Sequence, residues 1–220
     1  MVFIFNQNNS RIVQTGNTIN IVMKIDELIS VRDKLQQLAK DDPTGNKQAV
    51  WKLLADHDFT VAGSPGWFGS VWYHPNLEYV LKIFSSRDRG YLKFLDVASA
   101  HQDNPHFPKF RGKLVNLTPL TMAVRLERLN VYSRHKFEDI EYMLDTSSGV
   151  RNWRKYIENN EIAKDFINQW PQFGDALDLL NQSWFNNEAS INFDWHDGNM
   201  MLRNNQVPVI IDPFKPTGLF

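Results

Sequence analysis

Apolar positions along this chain change their spacing several times, and each change predicts a new kind of element. Residues 6–20 are rich in Asn, Gln, Thr and Ser and read as a loose arm. From Ile21 to about Lys40, the residues Ile21, Ile25, Leu28, Ile29, Leu35 and Leu38 keep roughly helical spacing. Asp41-Asp42-Pro43-Thr44-Gly45 interrupts that pattern, and a second short helix is predicted around Lys47–His57. Residues 1–58 therefore form a helical N-terminal extension. Three strand-like runs follow, Phe59–Ala62, Ser70–His74 and Tyr79–Phe84, with a Gly-rich turn between the first two and Pro75-Asn76 marking the second turn. A helix is predicted over Arg87–His101, with Leu92, Leu95 and Ala98 on one face, and two more strands at Lys109–Val115 and Met122–Leu126. Beyond Leu129 the pattern turns helical, over Trp153–Lys164 and Phe173–Phe185. It ends in short strands at Ile191–Asp194, Met200–Arg203 and Val209–Asp212. Antiparallel strands with one helix, then helices, then a β-rich loop region predict an α+β fold in two lobes, residues 59–129 and 130–220.

Composition narrows the functional classes. The formal net charge is −1, so the chain lacks the basic excess of a protein built to bind nucleic acid or an anionic membrane. There is no cysteine, which removes disulfides, thiolate metal sites and a Cys nucleophile. The opening residues carry neither a basic run nor a long apolar stretch, and predict no signal peptide. The six histidines show no metal-ligand spacing; His101 and His106 read as loop residues, and Trp153, Trp170 and Trp184 as core.

The segment with the most chemistry is Asp194-Trp195-His196-Asp197-Gly198-Asn199, followed by Val209-Ile210-Ile211-Asp212. Phosphoryl transfer from ATP needs one carboxylate to orient a hydroxyl proton, and an amide oxygen plus a second carboxylate to hold Mg²⁺ against the phosphates. Asp194 stands five positions before Asn199, and Asp212 thirteen after it, intervals that suit this set. Taken alone, Asp194, Asp197 and Asn199 also suit an ordinary turn. Upstream, Gly63, Gly66 and Gly69, then Val71, form a Gly-rich turn between strands whose N–H groups suit phosphate oxygens. Eleven residues after Val71 comes Lys82, in Val80-Leu81-Lys82-Ile83, placed to reach the α/β-phosphates. Alone it reads as a solvent-facing strand residue. The order of loop, Lys, Asp-x₄-Asn and Asp favours the joint reading.

With these segments the chain resembles the protein-kinase-like superfamily. In Phe193–Asn199 and Val207-Pro208-Val209-Ile210-Ile211-Asp212-Pro213 it is similar to the early serine/threonine protein kinases of T-seven-type podophages. The likeness spans roughly residues 47–216. It implies a bilobal kinase-like fold, ATP and Mg²⁺ as cofactors, host bacterial proteins as substrates, and the cytoplasm of the infected bacterium as the place of action. It implies Asp194 as catalytic base, Asn199 and Asp212 as metal ligands, Lys82 as the ATP-phosphate Lys, and His196 as a γ-phosphate contact. Leu126-Glu127-Arg128-Leu129 resembles the hinge whose main chain, at Glu127 and Leu129, bonds adenine.

The chain also departs from that pattern. Asn192 stands where such kinases usually have His, and Pro213-Phe214 follows Asp212 instead of Phe-Gly. No Glu occupies the usual place in the helix after Lys82, leaving Asp88 and Asp96 as the nearby carboxylates. Eight residues follow Asp212, so a truncated C-terminal lobe is expected. Two rivals stay open: a small-molecule phosphotransferase of the aminoglycoside-phosphotransferase-like type, which shares the Asp-x-His-x-Gly-Asn wording, and a nucleotide-binding pseudokinase that acts by binding a host protein.

Overall fold

Alternation along five strands builds a sheet with two different faces. The structure is a computed structural model that describes residues 47–62, 68–131, 152–187 and 189–217, together with Asp33, Lys34 and Gln37. Strands β1 (Thr60–Val61), β2 (Gly69–Tyr73), β3 (Tyr79–Ser85), β4 (Val115–Thr118) and β5 (Thr121–Glu127) pair antiparallel in the order β1-β2-β3-β5-β4. Residues opposite each other share a face. Trp72, Ile83 and Ala123 therefore point one way, and Val71, Lys82, Phe84, Val124 and Leu126 the other. Helix α1 (Lys47–Ala55) covers the first face with Val50 and Leu54, in a cluster that takes in Phe59 and Leu117. The second helix of the N-terminal extension is thus packed on the sheet. The predicted helix over 21–40 lies outside the described residues, apart from the three above, which are helical.

The second face meets the rest of the molecule through α2 (Arg89–Ala100). Asp88 caps this helix by accepting the Tyr91 N–H at 3.0 Å. Tyr91, Phe94, Leu95 and Ala98, spaced i, i+3, i+4 and i+7, are all buried. They join one core with α3 (Trp153–Glu158), α4 (Glu161–Gln169) and α5 (Pro171–Phe185). Two small antiparallel sheets complete it. One is β6 (Asn130–Val131), β8 (Met200–Arg203) and β9 (Val207–Ile210); the other is β7 (Ile191–Phe193) with β10 (Phe214–Pro216). Helix α2 passes so close to β10 that a Cβ on Gly90 would stand 2.6 Å from the Phe214 carbonyl oxygen. The molecule is a mixed α+β fold on antiparallel sheets. Among the described residues no helix is long and apolar enough to cross a membrane.

Three predicted elements differ. The strand over Lys109–Val115 is realised only as a bridge of Phe110 to Leu126, and β4 proper begins at Val115. Between them Gly112 adopts φ +141°, a kink that breaks the ladder. The helix over Trp153–Lys164 divides at Asn159-Asn160, because Asn160 accepts the Ala163 N–H and starts a new helix. The last strand ends at Ile210, and β10 was not foreseen: Pro213 has no N–H to donate and breaks the run before it resumes. His106 does sit in a loop, but a buried one. Its Nδ1 is 2.7 Å from the Pro208 carbonyl oxygen, and burial pushes its pKa down.

Candidate active site

Strand register brings the nominated oxygens together. In the β8–β9 hairpin Met200 faces Ile210, so the next pair outward is Asn199 with Ile211, and the Ile211 N–H donates to the Asn199 carbonyl at 3.0 Å. That hairpin is closed by Asn204 and Asn205, both at positive φ, which Asn tolerates. In the β7–β10 pair Phe193 faces Phe214, so Asp194 comes opposite Pro213, whose carbonyl accepts the Asp194 N–H at 2.8 Å. Asp212 follows Ile211 and precedes Pro213. Two short ladders therefore deliver Asp194, Asn199 and Asp212 to one place. Asn199 is 7% exposed, and its Nδ2 donates to the Asp194 carbonyl at 2.5 Å, which fixes which end of the amide is the free acceptor.

Lys82 enters from the other side. Its Nζ lies 2.6 Å from Asp212 Oδ2 and 3.4 Å from the centroid of the Tyr91 ring. Side-chain exposures of 12% and 27% make this a largely desolvated pair. The strand lysine is therefore engaged with the core side of its sheet, and its carboxylate partner is Asp212 itself. Of the two other carboxylates, Asp96 pairs with Lys93 on the surface at 3.6 Å. Asp88 is buried, and its pKa rises to about 6: burial is the main cause, the Tyr91 N–H opposes it, and the charges of Asp212, Lys82 and Asp194 act on it in turn. Burial also pushes the Asp212 pKa up, against the pull of Lys82. The Tyr91 phenol is driven well above its ordinary value by burial, then by Asp212 and Asp88.

The remaining nominated residues fall as follows. Val71 lies directly opposite Lys82, and Gly69 opposite Phe84 at the start of β2. Gly63 and Gly66 lie outside the described residues. His196 turns into its own loop, where Nδ1 accepts the Gly198 N–H at 3.1 Å. Leu129 is half-buried between β5 and β6. Glu127 is held by side-chain bonds: Arg203 Nε at 2.8 Å and Nη2 at 2.5 Å, and the Lys109 N–H at 2.7 Å. Its own N–H is spent on the Lys109 carbonyl, so the carbonyl is the main-chain group a hinge role would use. Burial would raise the Glu127 pKa, but Arg203 and Lys109 hold it below the ordinary value.

The donor set fits a hard cation with oxygen ligands: an oriented amide oxygen and a carboxylate, on adjoining turns. Among the described residues, no three His, Cys, Asp or Glu side chains converge as a separate metal cluster. Three site contacts escaped the sequence reading. They are Tyr91 under Lys82, Arg203 on Glu127, and Lys215, whose Nζ lies 3.0 Å from Asp194 Oδ1. Only Lys215 had a local signal, the alternation Phe214-Lys215-Pro216 that buries Phe214 and turns Lys215 outward, and the flanking prolines hide it. No family model matches this chain, and no curated protein matches it.

Proposed function

We propose that this protein is a Mg-ATP-dependent serine/threonine protein kinase with a bilobal kinase-like fold, acting on host proteins in a bacterial cytoplasm early in infection. The observation that carries the reading is the convergence of Lys82, Asp194, Asn199 and Asp212, four residues of the expected kinds, from three separate pairings of strands. In this reading Asn199 and Asp212 hold Mg²⁺, which neutralises phosphate charge. Lys82 and the turn leading into Gly69 and Val71 hold the nucleotide. Glu127 and Leu129 border the adenine. Asp194 orients the acceptor hydroxyl and takes its proton as the oxygen attacks the terminal phosphorus and ADP departs. Positioning and charge neutralisation supply the rate, with no covalent intermediate on the protein.

Incubation with γ-labelled ATP, alone and with bacterial lysate, tests the reading. Label in proteins, requiring Mg²⁺ and lost in Asp194→Asn, is the expected result. Label confined to small molecules selects the small-molecule phosphotransferase. Nucleotide binding without any transfer selects the pseudokinase.

A further inference from the structure

The candidate site gathers three carboxylates, Asp88, Asp194 and Asp212, around one nominated lysine. Asp88, Asp194 and Asp212 act electrostatically on one another, and a nucleotide would add its phosphates to them. Lys82 is committed: a carboxylate lies at 2.6 Å and an aromatic ring beneath it. His196 is turned into its own loop by the Gly198 N–H. Lys215 is different. It stands on β10, three residues after Asp212, and reaches Asp194 Oδ1 at 3.0 Å. Its backbone is fixed, because Phe214 is 2% exposed, Lys215 faces Asn192 in the ladder, and α2 presses on the strand at Gly90. Its side chain is half exposed. An ion pair this open to water adds little to folding, so stability gives no reason for it. A solvent-facing ammonium on an anchored strand, beside the proposed base, suits a transferring phosphoryl group: it is a cation that can share its protons between two anions.

We propose that Lys215 is the phosphate-facing cation of this site, holding Oδ1 of Asp194 and bridging from it to the terminal phosphoryl oxygens of the bound nucleotide. This inference rests on the phosphotransferase reading above and moves the γ-phosphate contact from His196 to Lys215. During transfer the acceptor oxygen bonds to the terminal phosphorus, the bond to the bridging oxygen of ADP breaks, and the acceptor proton passes to Asp194. Lys215 keeps all its protons and offsets charge on the phosphoryl oxygens.

The test is calorimetric and needs no acceptor. Full-length wild type, Lys215→Met and Lys215→Arg are titrated with Mg-ADP and with the Mg complex of the β,γ-imido analogue of ATP. Wild type should bind the imido analogue more tightly than ADP. Lys215→Met should lose about tenfold or more on the imido analogue, the scale of one charge-assisted hydrogen bond, and little on ADP. Lys215→Arg should recover most of the loss. The same comparison in an Asp194→Asn background separates a direct contact from mere neutralisation of Asp194: a direct contact keeps its effect there. If Lys215→Met leaves the preference for the third phosphate intact, or if its effect vanishes in Asp194→Asn, the inference is overturned while the kinase reading stands. If wild type binds neither nucleotide, both are overturned.

Discussion

The large sheet and the two small ones solve opposite problems. Strands β3 and β5 pair over seven residues, from Tyr79 with Glu127 to Ser85 with Thr121, and the sheet is covered by α1 on one side and the main core on the other. From this sheet the cluster of charged groups around Asp212 takes Lys82 alone. The small sheets pair over three residues in β7–β10 and four in β8–β9, yet they deliver Asp194, Asn199, Asp212 and Lys215. Ladders so short are not stable alone. They are held by what lies behind them: Phe193 and Phe214 in the core, α2 against β10, and the Arg203–Glu127 clamp back to β5. Polar chemistry sits where the strands end, and its precision is borrowed from buried neighbours.

Four tests break or sharpen this contrast. The largest effect belongs to the small-sheet side. Asp194→Asn should keep nucleotide binding and lower transfer by about 10²–10⁴-fold, the usual contribution of a general base. Transfer within about threefold of wild type would remove Asp194 from that role. The clamp between the two regions comes next. Arg203→Met strands the Glu127 carboxylate in the interior and should cost about 3 kcal/mol in urea unfolding. Adding Glu127→Leu should return most of that loss, because the uncompensated charge is then gone. An Arg203→Met protein as stable as wild type would mean the sheets are joined by other means.

Asp88 probes the boundary in a pH-dependent way. Its folded pKa is about 6, above its ordinary 3.8, so the folded state binds more protons than the unfolded state between these values. Stability therefore falls as pH rises through that window, and the full penalty is present above it. Asp88→Asn keeps a side chain that caps helices equally well. It should gain on the order of 2 kcal/mol above pH ~6 and nothing below pH ~4. Equal stability curves at all pH values would show that Asp88 is not desolvated. The smallest effect is expected on the large-sheet side. Tyr91→Phe keeps the ring under Lys82 and removes a buried hydroxyl that has no hydrogen-bond partner among the described residues. It should be stabilising by up to about 1 kcal/mol, with nucleotide affinity unchanged. A marked loss of affinity would show that the hydroxyl, not the ring, holds the lysine.

Local pattern made much of this legible. Strands β2, β3 and β8 and helix α2 fall within two residues of their predicted bounds, because each writes a full period of apolar positions into a short window. The convergence of the nominated oxygens was legible as residue order but not as geometry. What stayed hidden depends on residues far apart in sequence. Arg203 meets Glu127 across 76 positions, and no window contains both. Lys82 was read beside carboxylates in the following helix, yet its partner comes from the end of the chain. The kink at Gly112 and the break at Asn159-Asn160 were missed for another reason: a single residue's φ or a single side-chain cap outweighed the apolar pattern around it.

The contact of Lys82 with Asp212 closes a loop of 130 positions, and synthesis runs from the first residue to the last. At the usual pace of about 5–20 residues per second, a ribosome needs roughly ten seconds to make the intervening chain. For the part of that interval after Glu127 the large sheet has all its strands and helix α2, but Lys82 lacks the carboxylate that neutralises it. The nascent molecule therefore passes through a stage in which α2 can already lie against the second face, while the far side of that helix, which meets α5, β7 and β10 in the finished molecule, still has nothing to pack on.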